Sequence, residues 1–193
     1  YKDDQKDKRL AIQPIIDALK IKPFITDFNF EYLCIVEGIY DYYIFEMFQG
    51  ENHNLKFLPA VNADSIKYFI SIAIGWRVKY VAMWDNDAEC KKEFTKAQGF
   101  FGESEAKKFL LLPSENPRKK SFILQDLFAG GDLKMIKQEL SIPTNTAFEK
   151  TILMLYFSDK RKEIFGKISD DTKKAVKHVY TKINELYQSS QNS

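Results

Sequence analysis

The sequence predicts an open α/β fold, a mainly parallel sheet of about four strands flanked by helices, with a helical C-terminal extension. Three observations carry that expectation. Two apolar runs, Tyr32-Leu33-Cys34-Ile35-Val36 and Tyr80-Val81-Ala82-Met83-Trp84, have the length and unbroken apolarity of strands buried on both faces. Segments of helical spacing separate the runs, and strands that alternate with helices build a parallel sheet whose crossovers cover both faces. Beyond about Phe122 only helical periodicity remains.

Taken in order, residues 1–31, interrupted by Pro14 and Pro23, read as a lead-in helix and a connector. The core, residues 32–130, opens with the first strand and the Glu37-Gly38 turn. Ile44, Phe45 and Phe48 then fall at helical spacing, with Gly50 as the stop. Residues 55–61 read as a second strand, and Asn62 or Asp64 caps a helix that runs to about Gly75. The third strand is 80–84. A polar helix over about 89–96 leads through Gly99-Phe100-Phe101-Gly102 to Phe109-Leu110-Leu111-Leu112-Pro113, the fourth strand. Residues 124–128 and, in the extension 131–193, residues 133–140, 148–157 and 172–187 have helical periodicity. In the last of these Val176, Val179, Tyr180, Ile183, Leu186 and Tyr187 make one apolar stripe, followed by a frayed polar end.

A chain of 193 residues with 45% hydrophobic content suffices for one ordinary core. Its 29 basic and 27 acidic residues leave a net charge of +2, so bulk charge announces neither nucleic acid nor a membrane surface, and any such case has to be local. Cys34 and Cys90 lack CxxC spacing and read as structural thiols of a reducing cytoplasm. No apolar run approaches the roughly 18 to 20 residues of a membrane span, and no cationic leader precedes an apolar core, so a soluble cytoplasmic protein is expected. The chain opens on Tyr1 rather than methionine, as a piece of a longer protein would.

The chemistry lies at the strand ends. Both buried runs close on carboxylates, Val36-Glu37-Gly38-Ile39-Tyr40-Asp41 and Trp84-Asp85-Asn86-Asp87, at the edge where open α/β sheets bind their ligands. The first helical turn swings Asp41 back beside Glu37, with Gly38 supplying the bend. Strand alternation puts Asp85 and Asp87 on one side with Asn86 turned away, and Glu89 offers a further acid. Four converging carboxylates repel one another unless divalent cations lie between them, and a set of hard oxygen ligands favours Mg2+ or Mn2+, as one ion or two. Such a centre acts as a Lewis acid, generates hydroxide near neutral pH and grips both oxygens of a phosphodiester. The competing reading is that each carboxylate only caps a helix. Their joint position at two strand ends of one sheet favours the metal.

Val36-Glu37-Gly38-x-x-Asp41, followed two β/α units later by Asp85-x-Asp87, resembles the signature of the Toprim domain of primases, topoisomerases, recombination-repair proteins and the overcoming-lysogenization-defect (OLD) nucleases. Asp85-Asn86-Asp87-Ala88-Glu89 before a long polar helix, Leu110-Leu111-Leu112-Pro113, and Ile123-Leu124-Gln125-Asp126-Leu127-Phe128 are most similar to the OLD family. The resemblance implies a Toprim-type, Rossmann-like sheet and a Mg2+- or Mn2+-dependent DNA endonuclease or nickase. Glu37, Asp41, Asp85 and Asp87 would be ligands, Glu37 and Asp85 catalytic, and Asp126 a further acid for a second ion. Lys162, with Lys160 next, matches the family's lysine that steadies the transition-state phosphate. The same resemblance implies an ABC-type ATPase domain in this or another chain, oligomerisation through it, and a role in antiviral defence or DNA processing. The chain departs from the family at Gln125, where Glu is common, and at Cys90, near where Gly is common. Both departures bear on the second ion.

Between Lys160 and Lys182 there are eight basic residues against three acidic ones, and a basic flank beside an acidic metal site suits a DNA backbone. Arg118, Lys119, Lys120 and Lys160 are the candidate phosphate contacts. No Gly-x-x-x-x-Gly-Lys-Ser/Thr segment occurs, so this chain carries no P-loop ATP site. Trp84 reads as core, and Tyr40, Tyr42 and Tyr43 as helix packing rather than as a tyrosyl nucleophile. Two alternatives stand beside the nuclease. One is a catalytically silent Toprim platform. The other is a receiver-like Mg2+-binding module, which needs one phosphoacceptor Asp and a lysine at the end of a fifth strand.

Overall fold

The computed structural model describes residues 31–49, 54–116 and 119–191. The lead-in helix expected before residue 31, the helix stop at Gly50, and Arg118 lie outside them. In chain order the elements are β1 (Tyr32–Val36), α1 (Ile39–Phe48), β2 (Leu55–Pro59), α2 (Ile66–Gly75), β3 (Tyr80–Trp84), α3 (Ala88–Ala106) and β4 (Phe109–Leu111), then α4 (Asp132–Glu139), α5 (Phe148–Tyr156), α6 (Arg161–Lys167) and α7 (Asp170–Gln191). Short 3-10 turns at Ala63–Ser65 and Leu124–Leu127 join them. Among the described residues the sheet has four strands, all parallel, in the order β2-β1-β3-β4.

Alternation along the buried strands divides the interior into two layers. Cys34 and Val36 of β1 and Val81 and Met83 of β3 face Ile44 and Phe45 of α1, together with Ile136, Ile152, Ile164, Val176, Val179 and Ile183 of the C-terminal helices. Leu33 and Ile35, with Ala82 and Trp84, face Ile66, Ile70 and Ala73 of α2 and Cys90 and Ala97 of α3. β1 and β3 are therefore apolar at every position because successive side chains serve opposite cores. Trp84 is 1% exposed and its Nε1 donates to the Ala63 carbonyl at 3.1 Å, which gives its ring a packing role.

The C-terminal helices form one of the sheet's two covering layers. The predicted stripe on α7 is the buried one: Val176, Val179, Ile183 and Tyr187 are all in the core, and Tyr187 stacks on Tyr32 of β1 with ring centroids 3.9 Å apart. Asp132 at the start of α4 ties this layer together. Its buried carboxylate accepts from the Ser169 hydroxyl at 2.6 Å and the Thr172 hydroxyl at 2.5 Å, while Thr172 Oγ1 accepts the Ala129 N–H at 2.8 Å. A buried carboxylate is tolerated when donors surround it in this way.

Several boundaries differ from the sequence reading: β4 ends at Leu111 rather than Pro113, and α7 spans Asp170–Gln191 rather than 172–187. β2 ends at Pro59 rather than Val61, the chain turning at Asn62, whose side chain caps the 3-10 turn by accepting the Ser65 N–H at 2.9 Å. α3 runs on to Ala106 through a kink at Gly102, whose φ of 78° and ψ of 174° lie in a region essentially restricted to glycine. α6 forms where only a lysine motif had been read, anchored by the single buried Ile164. Among the described residues no helix is long and apolar enough to cross a membrane.

Candidate functional site

β1 and β3 are neighbours with Cys34 opposite Val81 and Ile35 opposite Ala82, so Glu37 and Asp85 leave adjacent strands at the same carboxyl edge. Strands in a sheet lie about 4.8 Å apart. From this edge α1 departs toward β2 on one side while α3 departs toward β4 on the other, which makes the β1/β3 crevice the topological switch point, the place where doubly wound sheets bind ligands. A cleft of about 290 Å³ opens there. Glu37, Asp41, Asp85, Asn62 and Gln125 line it, Glu149 and Phe148 of α5 close one side, and no lysine or arginine is among its lining residues.

The carboxylates fall into two kinds. Asp41 sits at the third position of α1, where it accepts the Gly38 N–H at 3.0 Å, yet it is buried. Burial pushes its carboxyl well above the usual carboxylate range, and the charges of Asp85 and Glu37 add to the effect. Asp85 is raised to about 7, first by burial and then by Glu37, with the Leu124 backbone N–H opposing. Glu37 accepts a hydrogen bond from the Cys90 thiol, Sγ to Oε2 3.0 Å, which pins the carboxylate to the first turn of α3. The thiol is in turn held protonated by burial and by that carboxylate.

Asp87 and Asp126 are already satisfied. Asp87 is the N-cap of α3 and accepts the Cys90 N–H at 2.8 Å, which holds its carboxyl below the ordinary range. Asp126 accepts the Ile123 N–H at 2.9 Å and pairs with Lys119 at 3.0 Å. The expected placing of Asp85 and Asp87 on one side is not met, since Asp85 lines the cleft and Asp87 does not; between them the Asn86 backbone bridges Phe122, its N–H donating to the Phe122 carbonyl at 2.9 Å and its carbonyl accepting the Phe122 N–H at 3.0 Å. That bridge brings residues 123–126 to the strand ends. The helix-cap reading thus describes Asp41, Asp87 and Asp126, and it leaves out Glu37 and Asp85.

Gly38 does not supply the bend through glycine's conformational freedom. Its backbone is extended, with φ −146° and ψ 178°, and an added Cβ would meet Asp41 Oδ2 at an ordinary 3.6 Å. Glu89 is exposed in the first turn of α3, outside the cleft. Lys119 reaches the acids only through Asp126, and exposed Lys120 takes a hydrogen bond from the Lys91 ammonium on its carbonyl. Lys162 is not brought to the carboxylates. It lines a different cleft with Glu46, Met47, Tyr156, Arg161 and Phe165, and exposed Lys160 is the N-cap of α6 beside it. Residues the sequence reading had not placed in the site are Glu149, the Leu124 N–H, and Cys90 as the partner of Glu37. No local signal marks them, since each depends on a turn or helix that tertiary packing brings in.

The donor set consists of hard oxygens, burial raises Asp41 and Asp85 above the usual carboxylate range, and no lysine or arginine lines the cleft to offset them. That chemistry fits a divalent cation. The side chains are not drawn together around one: among the described residues no three His, Cys, Asp or Glu groups form a ready-made ligand set. No protein-family model, curated protein or solved structure matches the chain.

Proposed function

We propose that this domain is a Mg2+- or Mn2+-dependent DNA endonuclease or nickase of the Toprim type, similar in its motifs to the OLD nucleases. The observation that carries the reading is the switch-point cleft, which Glu37, Asp41 and Asp85 line together with no lysine or arginine among its lining residues. A divalent cation would be held by Glu37, Asp41 and Asp85, and it would supply Lewis acidity and a nucleophilic oxygen near neutral pH. The chain's own contribution is positional. Cys90 orients Glu37, the Gly38 N–H orients Asp41, and the Leu124 N–H steadies the ionised form of Asp85. Asp87 and Asp126 would supply the outer carboxylates of the same centre. An ATPase partner and a cytoplasmic, antiviral role belong to this proposal through the family resemblance alone.

Plasmid nicking and linearisation, followed with Mn2+, with Mg2+ and with EDTA, tests the reading. Cutting is expected with either metal, none with EDTA, and loss of cutting in Glu37→Ala and Asp85→Ala. Metal-independent cutting, or cutting that survives both substitutions, would overturn it, as would an inert chain in the presence of its ATPase partner. The specific features that favour a silent binding module are the engaged states of Asp87 and Asp126 and the absence of a preformed ligand set among the described residues. Metal binding by calorimetry without any cleavage would support that second reading. A receiver-like role is less well supported, since helices rather than a fifth strand follow β4 among the described residues.

A further inference from the structure

α1 connects two clefts of opposite character. Tyr40 stands at the rim of the carboxylate cleft. Two helical turns on, about 10 Å along the axis, Glu46 and Met47 enter the second cleft, about 340 Å³, which Tyr156, Arg161, Lys162 and Phe165 complete. A row of aromatic rings runs between them. Tyr40 lies 6.4 Å from Tyr43, and Tyr43 lies 4.3 Å from Tyr156 and 5.7 Å from Phe157. The Arg161 guanidinium ends the row, 5.2 Å from the Tyr156 ring and donating to that residue's carbonyl at 3.1 Å.

Core packing does not account for the outer part of this row. Phe157, just past the C-terminus of α5, is 68% exposed, and Leu153 and Met154 on the preceding turn are each 37% exposed. Two cations and one acid, Glu46, line the second cleft, and Glu163 beside Lys162 is taken up by Lys167 at 2.9 Å. Lys160 adds a further exposed cation. A row of half-buried rings that ends on the exposed Phe157, with cations beside it, is suited to unpaired nucleotides, because every base offers a π face for stacking while the phosphates follow the positive groove. Paired bases in a duplex are stacked on one another and offer rings of this kind only their edges.

We infer that this row is a track for a single DNA strand, running from Arg161 and Lys162 over Phe157 and Tyr43 to Tyr40 at the edge of the carboxylate cleft. The inference rests on the nuclease reading only for where the strand ends, since binding along the track requires no metal. It makes single-stranded or locally unpaired DNA the substrate class, and it gives Lys162 and Lys160 the task of holding phosphates at a distance from the reacting group.

Fluorescence anisotropy of the full chain in EDTA tests the track, with a labelled oligo(dT) of about fifteen nucleotides and a duplex of equal length as probes, at low and at physiological salt. The single strand is expected to bind roughly tenfold or more tighter than the duplex, and Phe157→Ala to weaken strand binding roughly tenfold at an unchanged melting temperature. Lys162→Ala should reduce the slope of log affinity against log salt by about 0.7. Lys96→Ala, which removes an exposed cation of α3 paired with Glu93, controls for net charge and should leave affinity as it was. Equal affinity for duplex and strand, an unaffected Phe157→Ala variant, or no strand binding by the folded chain would each overturn the inference. Strand binding that responds to Phe157 in a chain that cuts nothing removes the nuclease reading alone, and cutting that ignores Phe157 removes the track alone.

Discussion

Glu37, Asp41 and Asp85 on one side, and Asp87 and Asp126 on the other, share one sheet edge but meet different surroundings. The inner group lies between β1, β3 and α1, where burial and mutual repulsion raise Asp41 and Asp85 above the ordinary carboxylate range. The outer pair sits nearer solvent, and each member already has a partner, the Cys90 N–H for Asp87 and Lys119 for Asp126. A cation entering the cleft therefore relieves repulsion at the inner acids, while at the outer ones it would compete with bonds already made. Identical functional groups a few residues apart in sequence are thereby prepared for different roles.

Cleavage assays probe this contrast most severely. Asp85→Asn should abolish metal-dependent cutting, whereas Asp87→Asn and Asp126→Asn should lower it roughly 10- to 100-fold, as loss of outer-sphere support does in metal sites. Equal losses at inner and outer positions would remove the distinction. Thermal unfolding in EDTA comes next. The folded-state value of Asp85 lies above its unfolded one, so its contribution to stability is present below about pH 4 and is lost as pH rises through about 7. Asp41 shifts in the same direction. The melting temperature of the metal-free chain should thus fall between pH 5 and pH 8. Asp85→Asn should flatten that fall, with a gain of roughly 5 °C at the upper end, and Mg2+ should restore stability to the parent chain but not to the variant. A metal-free chain that melts higher at pH 8 than at pH 5 would contradict the inner acids' assignment. Asp87 carries the opposite sign, since its depressed value lends stability that disappears only as pH falls below the carboxylate range. The mildest change is Gly38→Ala. With an extended backbone and an ordinary contact to Asp41, it should alter stability by less than about 0.5 kcal/mol, read as a nearly unchanged melting temperature.

Much of this arrangement is legible along the chain, for identifiable reasons. Tyr32–Val36 and Tyr80–Trp84 could be read as buried parallel strands because nothing polar interrupts them, and the α7 stripe because its spacing matches one helical face. Other features were not. The helix at 161–167 is short and anchored by one buried residue, too little periodicity to register. The continuation of α3 past Gly99 was obscured by two glycines, one of which marks a kink within the helix.

The sequence by itself determined that two strands of one sheet end in carboxylates, because apolar runs and strand-end acids are local properties of the chain. Which of those acids would be buried, capped or paired was decided only in the tertiary structure. The Asn86–Phe122 bridge carries Leu124 and Asp126 to the site, α3 sets Cys90 against Glu37, and α5 and α6 assemble the aromatic and cationic cleft at the other end of α1. Burial and charge proximity depend on what the rest of the chain packs around a residue, and no stretch of sequence around an aspartate records the desolvation that separates Asp85 from Asp87.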